Sequence, residues 1–328
     1  MNIAVVMGGY SDESVISLRS GQLILSNLDH SKHTVFEVHI LVDGWNVVVS
    51  DSKYPINKAD FSFESDGVHQ KFDVIVNTIH GTPGEDGHMQ GYWELLGIPY
   101  TGCGFYQSAL TFNKRDTLSV LSKFDISKAK SIYLSKGDSI TGEDIVQTLG
   151  IPFFVKPNQS GSSLGVSKVS NLSELEKALE FAFAEDSDIL IESFLKGIEV
   201  SVGVLNYQGK TKVLALTEIV SENAFFDYEA KYLGKAEEIT PARVSPQVEK
   251  LVFESAAKVY EALGMSGFSR SEFIIMDGIP YFIEINTNPG LSPQSIFPQQ
   301  VTFANLDLQD LLENEIELAF KRKILMKK

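Results

Sequence analysis

The sequence predicts a mixed α/β and α+β protein with three domains. Apolar runs at residues 3–7 and 72–79 each end in a glycine-rich loop, as strands of a parallel α/β layer do when the functional site lies at their carboxyl edge. From residue 189 onward, β-rich runs follow one another, which is typical of an antiparallel unit. The length of 328 residues, at ~150 residues per domain, accommodates two or three domains.

Composition and charge exclude several functional classes. The 28 Lys and Arg against 43 Asp and Glu give a net charge of −15, which repels nucleic-acid phosphates and anionic lipid surfaces, so we expect neither partner. The single Cys103 permits no internal disulfide or zinc cluster and fits a reducing cytoplasm. No signal peptide is expected, and no apolar run reaches the ~18–20 residues of a membrane span.

The first domain is expected over residues 1–101. The run at 3–7 predicts a strand, Gly8-Gly9 a turn, and the apolar spacing at 17–28 a helix. A second buried strand is expected at 72–79, followed by a glycine-rich loop. Polarity then rises and a helix is expected at 106–122, which places the boundary near residue 101.

The second and third domains are expected over 102–191 and 192–328. In the second, a strand at 153–156 leads into the Gly/Ser-rich loop at 158–165. Ser173 followed by Glu176 predicts a capping box at a helix start. The other elements are expected as strands at 166–169, 189–192, 199–205 and 213–219 and as a helix at 247–263.

Three familiar motifs can be rejected. No Gly-x-x-x-x-Gly-Lys-Ser/Thr loop occurs. The run at 102–107 begins like a dinucleotide fingerprint, but Gln107 occupies the position of the third glycine. The Gly-x-Ser-x-Gly pattern around Ser163 would require a later histidine, whereas all six histidines precede it. The sequence therefore does not predict a serine hydrolase.

Polar side chains alternate along two β-rich runs near the carboxyl terminus. Arg270 and Glu272 share one face of the first run, and Glu284 and Asn286 share one face of the second. A two-residue turn at Asp277-Gly278 would place Glu272 opposite residue 283. A three-residue loop at 277–279 would instead pair residue 272 with 284 and residue 270 with 286. We expect the three-residue loop, which gathers all four polar side chains on one face.

This face and the glycine-rich loop together predict a nucleotide site. Two carboxylates ~5 Å apart repel each other unless a cation lies between them. Glu272, Glu284 and the Asn286 amide offer the hard oxygen ligands that Mg²⁺ takes beside nucleotide phosphates. The backbone of the 158–165 loop could enclose phosphate oxygens, with Lys156 as a point charge at its base. We expect ATP between the second and third domains.

At this combination, the sequence resembles the D-alanine:D-alanine ligase family of ATP-grasp carboxylate-amine ligases. The resemblance runs from residue 3 to about residue 298. Its blocks, in order along the chain, are Gly8-Gly9-Tyr10-Ser11-Asp12-Glu13, His80-Gly81, Gly84-Glu85-Asp86-Gly87, Lys114, Lys156-Pro157, Gly161-Ser162-Ser163, Phe226-Asp227-Tyr228-Glu229-Ala230-Lys231-Tyr232, Glu284-Ile285-Asn286-Thr287 and Pro289-Gly290.

The resemblance implies a three-domain ATP-grasp architecture with an amino-terminal parallel α/β domain. It also implies an activity. ATP phosphorylates the carboxylate of a first D-alanine, the amine of a second attacks the acyl phosphate, and the dipeptide of peptidoglycan precursors is released. Two Mg²⁺ or Mn²⁺ ions and a homodimer are further expectations from the family.

The resemblance also implies roles for individual residues. Glu13 would fix the ammonium of the first D-alanine, and Ser162 and Tyr232 would complete a linked trio that closes the site. Arg270 and the Gly290 N–H would stabilise the oxyanion. His80 and Ser295 would contact substrate, with Ser295 at the carboxylate of the second D-alanine. The expected metal ligands are Glu272, Glu284 and Asn286. The expected ATP contacts are Lys114, Lys156, Ser162, Ser163, Glu192, Ser193, Phe194, Leu195, Glu199, Phe225 and Lys231.

Other readings of the same motifs remain open at this point. A ligase could use D-serine or D-lactate as its second substrate, although Tyr232 is the residue that accompanies amine nucleophiles in the family. An ATP-binding sensor would retain the site without forming dipeptide, and an amino-acid kinase would stop at the acyl phosphate. Glu272 stands where the family usually has Asp, which bears on the choice between Mg²⁺ and Mn²⁺.

Overall fold

The computed structural model describes residues 1–221, 236–292 and 294–322. The first of its sheets has five strands in the order β4-β3-β2-β1-β7. β1 is parallel to both neighbours, and its residues Ile3 to Met7 are fully buried, as expected for a continuous apolar run. The elements of this region are β1 (Asn2–Gly8), α1 (Ser14–Asn27), β2 (Thr34–Leu41), β3 (Gly44–Val49), β4 (Ser52–Pro55), β5 (Phe63–Ser65), β6 (Val68–Gln70), β7 (Val74–Asn77) and α2 (His88–Leu96).

The expected helix at 106–122 is two helices. The helical conformation is interrupted at Asn113, whose extended backbone ends α3. The Asn113 side chain is the N-cap of α4 and accepts a hydrogen bond from the Asp116 N–H. The first helix of the chain also starts earlier than expected, at Ser14, with Glu13 as its N-cap. The bounds of the pair are α3 (Phe105–Phe112) and α4 (Lys114–Leu121).

The second sheet has four strands in the order β10-β9-β11-β8. The expected capping box at Ser173 and Glu176 is wrong. Asn171 and Glu174 form the box instead, at a short 3-10 helix (Leu172–Glu174) that precedes α6. The Asn171 side chain accepts a hydrogen bond from the Ser173 N–H, so the helix begins before Ser173. The elements are β8 (Ser131–Ser135), α5 (Gly142–Leu149), β9 (Phe153–Pro157), β10 (Ser167–Val169), α6 (Leu175–Glu185) and β11 (Asp188–Ser193).

The third sheet has five antiparallel strands in the order β14-β13-β12-β15-β16. The expected strands at 199–205 and 213–219 and the expected helix at 247–263 are present with slightly different bounds. The elements are β12 (Ile198–Tyr207), β13 (Lys210–Ser221), β14 (Ala236–Ile239), α7 (Pro246–Ala262), β15 (Ser269–Met276), β16 (Ile279–Asn286), α8 (Ile296–Phe303) and α9 (Leu308–Lys321).

The cores join the three sheets into one molecule. Leu118 and Leu121 of α4 pack with the third sheet and α7, so α4 is anchored beside the hairpin of β15 and β16. Ile24 of α1 packs with Phe297 of α8 and Leu311 of α9. Within the described ranges, each helix is too short or too polar to cross a lipid bilayer. Leu190 of β11 belongs to the same cluster as the third sheet, so the second sheet packs against the third.

Candidate active site between the second and third sheets

The turn between β15 and β16 differs from the expected one. Met276 pairs with Ile279, so Asp277 and Gly278 form a two-residue turn, both with positive φ, as the primed hairpin turns require. The prediction of a three-residue loop at 277–279 is therefore wrong. A regular ladder from this turn would place Glu272 opposite Ile283.

A β-bulge restores the expected pairing. Phe273 pairs with Phe282, but the next pair is Glu272 with Glu284, and the register shifts between them. Ile283 is therefore the extra residue of a bulge. Beyond it, Arg270 pairs with Asn286. The predicted pairs are confirmed, although a bulge and not the turn produces them.

Cations hold the two paired carboxylates. Arg270 Nη1 lies 2.5 Å from Glu272 Oε1 and 2.9 Å from Ser201 Oγ. Lys114 Nζ lies 3.7 Å from Glu284 Oε2. Each carboxylate thus has a positive group beside it, which offsets the repulsion between them.

The same face has the donor chemistry of a divalent-cation site. Glu272 and Glu284 supply carboxylate oxygens, and Asn286 Oδ1 accepts one hydrogen bond from the Asn288 N–H at 2.8 Å, which leaves a further lone pair. Over the described residues, no group of three His, Cys, Asp or Glu side chains is close enough to hold a metal ion. Two carboxylates with one amide oxygen fit Mg²⁺ or Mn²⁺ when phosphate oxygens complete the coordination.

An elongated cavity of about 870 Å³ lies between the second and third sheets. Its walls combine apolar side chains with charged and hydroxyl groups, as cofactor sites do. Phe194 is not part of its lining. The ring of Phe194 packs on Phe154, which does line it, at 6.1 Å between centroids. The predicted residues that line this cavity are Lys114, Lys156, Ser162, Ser163, Glu192, Ser193, Leu195, Glu199, Glu272 and Glu284.

Lys156 and Glu192 form a buried ion pair in this cavity. They are diagonal neighbours on β9 and β11, because Leu190 pairs with Lys156 and Glu192 pairs with Phe154. Lys156 Nζ lies 2.5 Å from Glu192 Oε2, and each side chain is only 8% exposed. The Glu192 carboxylate offsets the cost of burying the ammonium group of Lys156, which lines the cavity and could attract an anionic ligand.

Lys114 is fixed by the start of α4. The Lys114 N–H donates to the Asn158 carbonyl at 3.2 Å, and the Arg115 N–H donates to Asn158 Oδ1 at 2.9 Å. Lys114 Nζ donates to the Ser160 carbonyl at 2.7 Å. The first turn of α4 is therefore docked on the glycine-rich loop that follows β9, and the lysine points along that loop.

The glycine-rich loop makes contact with the first domain. Ser162 and Ser163 both have positive φ, a conformation that is costly for residues other than glycine and that often occurs at functional sites. Ser162 Oγ donates a short hydrogen bond to Glu13. A Cβ on Gly161 would lie 2.6 Å from Glu13 Oε2, so a larger residue there would displace the Glu13 carboxylate. The predicted link between Glu13 and Ser162 is present.

A second cavity, of about 1070 Å³, lies between the first domain and the third sheet. Its lining brings together Glu13, His80, Arg270, Gly290 and Ser295, all predicted from the resemblance. A Cβ on Gly290 would lie 2.9 Å from Ser295 Oγ. This close approach leaves the Gly290 backbone accessible only because no side chain is present.

His80 and Glu85 lie at the end of the first domain that faces this site. Burial lowers the pKa of His80, although the Glu13 charge opposes the shift, so its ring is neutral near pH 7. Burial, with the Glu13 charge, raises the pKa of Glu85 to about 8, and Glu85 Oε2 accepts the Gly81 N–H at 2.6 Å. Glu85 belongs to the Gly84-Glu85-Asp86-Gly87 block, but no role for it is predicted from sequence, because its burial depends on the tertiary structure.

The predicted residues Phe225, Lys231 and Tyr232 lie outside the described residues. Their expected contacts with ATP and with the linked trio stay predictions.

Comparison with known proteins agrees with this geometry. Residues 2–103 match the sequence family described as D-ala D-ala ligase N-terminus, and residues 120–317 match D-ala D-ala ligase C-terminus. A D-alanine–D-alanine ligase from Flavobacterium psychrophilum is 74% identical over 328 residues, which are 100% of each chain.

Two solved structures are similar over nearly the whole chain. A D-Ala:D-Ser ligase from Enterococcus faecalis is 31% identical with a TM-score of 0.86, covering 97% of this chain and 99% of that one. A D-alanine–D-alanine ligase from Bacillus anthracis, complexed with ATP, is 28% identical with a TM-score of 0.78, covering 98% of each. The chain belongs to the D-alanine–D-alanine ligase family.

Proposed function

We propose that this protein joins two D-alanine molecules to D-alanyl-D-alanine for peptidoglycan synthesis, with conversion of ATP to ADP and phosphate. Family membership supports the reaction. The observation that carries it here is that a third cavity adjoins both of the cavities described above. A third cavity shares Lys114, Ser162 and Glu284 with the first one and Glu13 and Arg270 with the second.

The first step is transfer of the γ-phosphoryl group to a carboxylate of the first D-alanine. Lys114 and Lys156 face the cavity in which ATP would lie and would neutralise phosphate charge as it moves. Glu13, held by Ser162, would bind the ammonium of the first D-alanine. The carboxylate of that substrate would then point toward the phosphate end of the first cavity.

Glu272, Glu284 and Asn286 would hold the two Mg²⁺ or Mn²⁺ ions. When bound, these ions supply positive charge to the phosphate oxygens. Arg270 forms an ion pair with Glu272. This contact fixes the Arg270 guanidinium at the boundary between the phosphate region and the amino-acid cavity.

In the second step, the ammonium of the second D-alanine releases a proton to solvent, and the resulting amine attacks the acyl phosphate carbonyl and loses its second proton as the amide forms. Arg270 and the Gly290 N–H would donate hydrogen bonds to the oxyanion of the tetrahedral intermediate. Ser295 would bind the carboxylate of the second D-alanine. Collapse of the intermediate expels phosphate and leaves the dipeptide.

The organisation of the protein is part of the proposal. We assign residues 1–101 to a domain that caps the amino-acid site, residues 102–191 to a central ATP-grasp subdomain and residues 192–328 to a carboxyl-terminal subdomain. We propose a homodimer in the cytoplasm, which is where a ligase with ATP as substrate and one buried thiol would act.

Product analysis tests the function. The protein is incubated with ATP and Mg²⁺ and with D-alanine, D-serine, D-lactate or L-alanine, and phosphate and products are measured by mass. We expect ADP, phosphate and dialanine in equal amounts from D-alanine alone. ATP binding without any ligated product would contradict the proposal, and phosphate release without a dipeptide would indicate an amino-acid kinase.

A further inference from the structure

Among the described residues, the charged groups that line the second cavity are two carboxylates and two guanidiniums. They belong to Glu13, Glu238, Arg19 and Arg270. The fifth titratable group, His80, is neutral near pH 7 because burial lowers its pKa. The fixed charges of the cavity are therefore balanced in number and sign.

Two D-alanine zwitterions bring two ammonium and two carboxylate groups into the site. Glu13 would bind the first ammonium, and phosphoryl transfer consumes the first carboxylate. The second carboxylate would lie at Ser295, near the guanidiniums. The ammonium of the second D-alanine is then the remaining charge, and Glu238 is the remaining carboxylate among the described residues of the lining.

Glu238 is held in place by a neighbouring helix. It lies on β14 opposite Ile219 of β13. Gln299 Nε2 of α8 donates to Glu238 Oε2 at 3.0 Å and to the Gln294 carbonyl at 3.1 Å. Burial raises the pKa of Glu238, opposed by the Gln299 hydrogen bond and the Arg270 charge. Its neighbour Glu237 alternates to the other face and is exposed.

We propose that Glu238 determines specificity for the second substrate by binding its ammonium group and by disfavouring α-hydroxy acids. This inference rests on the proposed function. A D-alanine zwitterion has no net charge, whereas D-lactate is a monoanion without an ammonium group. A carboxylate on the wall of the subsite attracts D-alanine through its ammonium group and repels D-lactate. One residue therefore favours the amine nucleophile and disfavours the hydroxyl nucleophile.

The test is a competition between nucleophiles. Wild type, Glu238→Gln and Glu237→Gln are incubated with ATP, Mg²⁺, D-alanine and excess D-lactate, and dipeptide and depsipeptide are quantified by mass. Glu238→Gln keeps the size of the side chain and removes its charge. We expect it to lower the ratio of dipeptide to depsipeptide at least tenfold and to raise the KM of the second D-alanine about tenfold. Glu237→Gln should match wild type in both.

The outcomes separate this inference from the proposed function. A wild-type protein that forms no dialanine overturns both. A wild-type protein that forms dialanine, with an unchanged ratio and KM in Glu238→Gln, overturns the role of Glu238 alone. If no variant forms depsipeptide, the KM of the second D-alanine is the test, and an unchanged KM in Glu238→Gln overturns the role of Glu238. Should Glu238→Gln not fold, Gln299→Leu releases the carboxylate from its hydrogen bond, and we expect a change of about threefold in the same direction; no change would overturn the inference.

Discussion

At the scale of single residues, each cation of the first cavity lies beside a carboxylate. Lys156 is paired with Glu192, and Lys114 lies beside Glu284. Burial of a lone charge costs several kcal/mol, and a partner offsets this cost without removing the attraction for a phosphate. The ion pairs therefore make it less costly to place cations on the walls of the cavity.

The Lys156 pair gives a test of the ATP site. Lys156→Met should lower kcat/KM for ATP about 100-fold, because the phosphates lose a positive charge. It also leaves Glu192 buried without its partner, so the protein should lose stability. The double variant Lys156→Met with Glu192→Met should recover stability but not ATP affinity, since apolar pairs often replace buried ion pairs without loss.

Steady-state kinetics and thermal unfolding measure both effects. Lys250→Met serves as the control, because Lys250 is 76% exposed. A double variant that binds ATP like wild type would refute the assignment of Lys156.

Glu272 gives a test of the proposed metal site. Glu272→Gln should lower turnover about 100-fold, because one ligand charge is lost. Glu272→Asp should keep turnover within about tenfold of wild type and change the ratio of activities with Mg²⁺ and Mn²⁺, since the shorter arm moves the carboxylate. Turnover is measured against each free metal concentration. Full activity of Glu272→Gln at every concentration would exclude a metal-binding role.

At the scale of secondary-structure elements, the start of α4 positions Lys114. The helix begins there because Asn113 caps it and Asn158 accepts the next free N–H. Helix caps contribute about 1 kcal/mol each. A cap at this point therefore affects both stability and the placement of a site residue.

Cap removal at two helices separates these effects. Asn113→Ala should lower the free energy of unfolding by about 1 kcal/mol and raise the KM for ATP severalfold. Thr141→Ala is the matched control, because Thr141 caps α5 in the same way, accepting the Asp144 N–H, outside the ATP cavity. It should cost similar stability and leave the KM unchanged. Equal KM values in both variants would contradict the role of the α4 cap.

The hairpin of β15 and β16 was predictable from the sequence only in part. Alternation correctly placed the polar side chains on one face, and Asp277-Gly278 correctly marked the turn. The bulge could not be predicted, because it coincides with a distant contact: the Phe282 N–H donates to the Ser127 carbonyl at 2.8 Å. Burial of Glu85 and Glu238 is equally a result of tertiary packing. Most of the expected ATP contacts rest on the resemblance and not on a pattern in the sequence.

At the scale of the whole molecule, helix α9 packs against both the first and the third sheet. Its Glu315 is buried, and its Oε2 accepts the Gly102 N–H at 3.3 Å. Arg322 Nη1 donates to the Tyr100 carbonyl at 3.1 Å. Among the described residues, Cys103 and Tyr260 are further titratable groups that interact with Glu315. The junction between domains thus contains a carboxyl group in apolar surroundings.

This carboxyl group predicts a pH dependence of stability. Burial raises the pKa of Glu315 to about 8, so between pH ~4.5 and pH ~8 the folded state binds more protons than the unfolded state. The free energy of unfolding should therefore fall as pH rises through this range and level off above it. Glu85 should contribute in the same direction.

Glu315→Gln should reduce this slope and stabilise the protein at pH 8.5 by about 1–3 kcal/mol. Glu317→Gln on the same helix is the control, because Glu317 is 69% exposed. Denaturant unfolding at several pH values measures the slope. An identical slope in wild type and Glu315→Gln would contradict a buried, protonated Glu315.

Isotope transfer tests the central claim, that ATP activates a D-alanine carboxylate which a second amine then attacks. The protein is incubated with ATP, Mg²⁺ and D-alanine that carries oxygen-18 in its carboxylate. The oxygen-18 content of the released phosphate is then measured by mass spectrometry. The proposed mechanism predicts one carboxylate oxygen in each phosphate and one phosphate per dialanine. Dialanine accompanied by phosphate that lacks oxygen-18 would contradict the acyl phosphate and with it the account of the site.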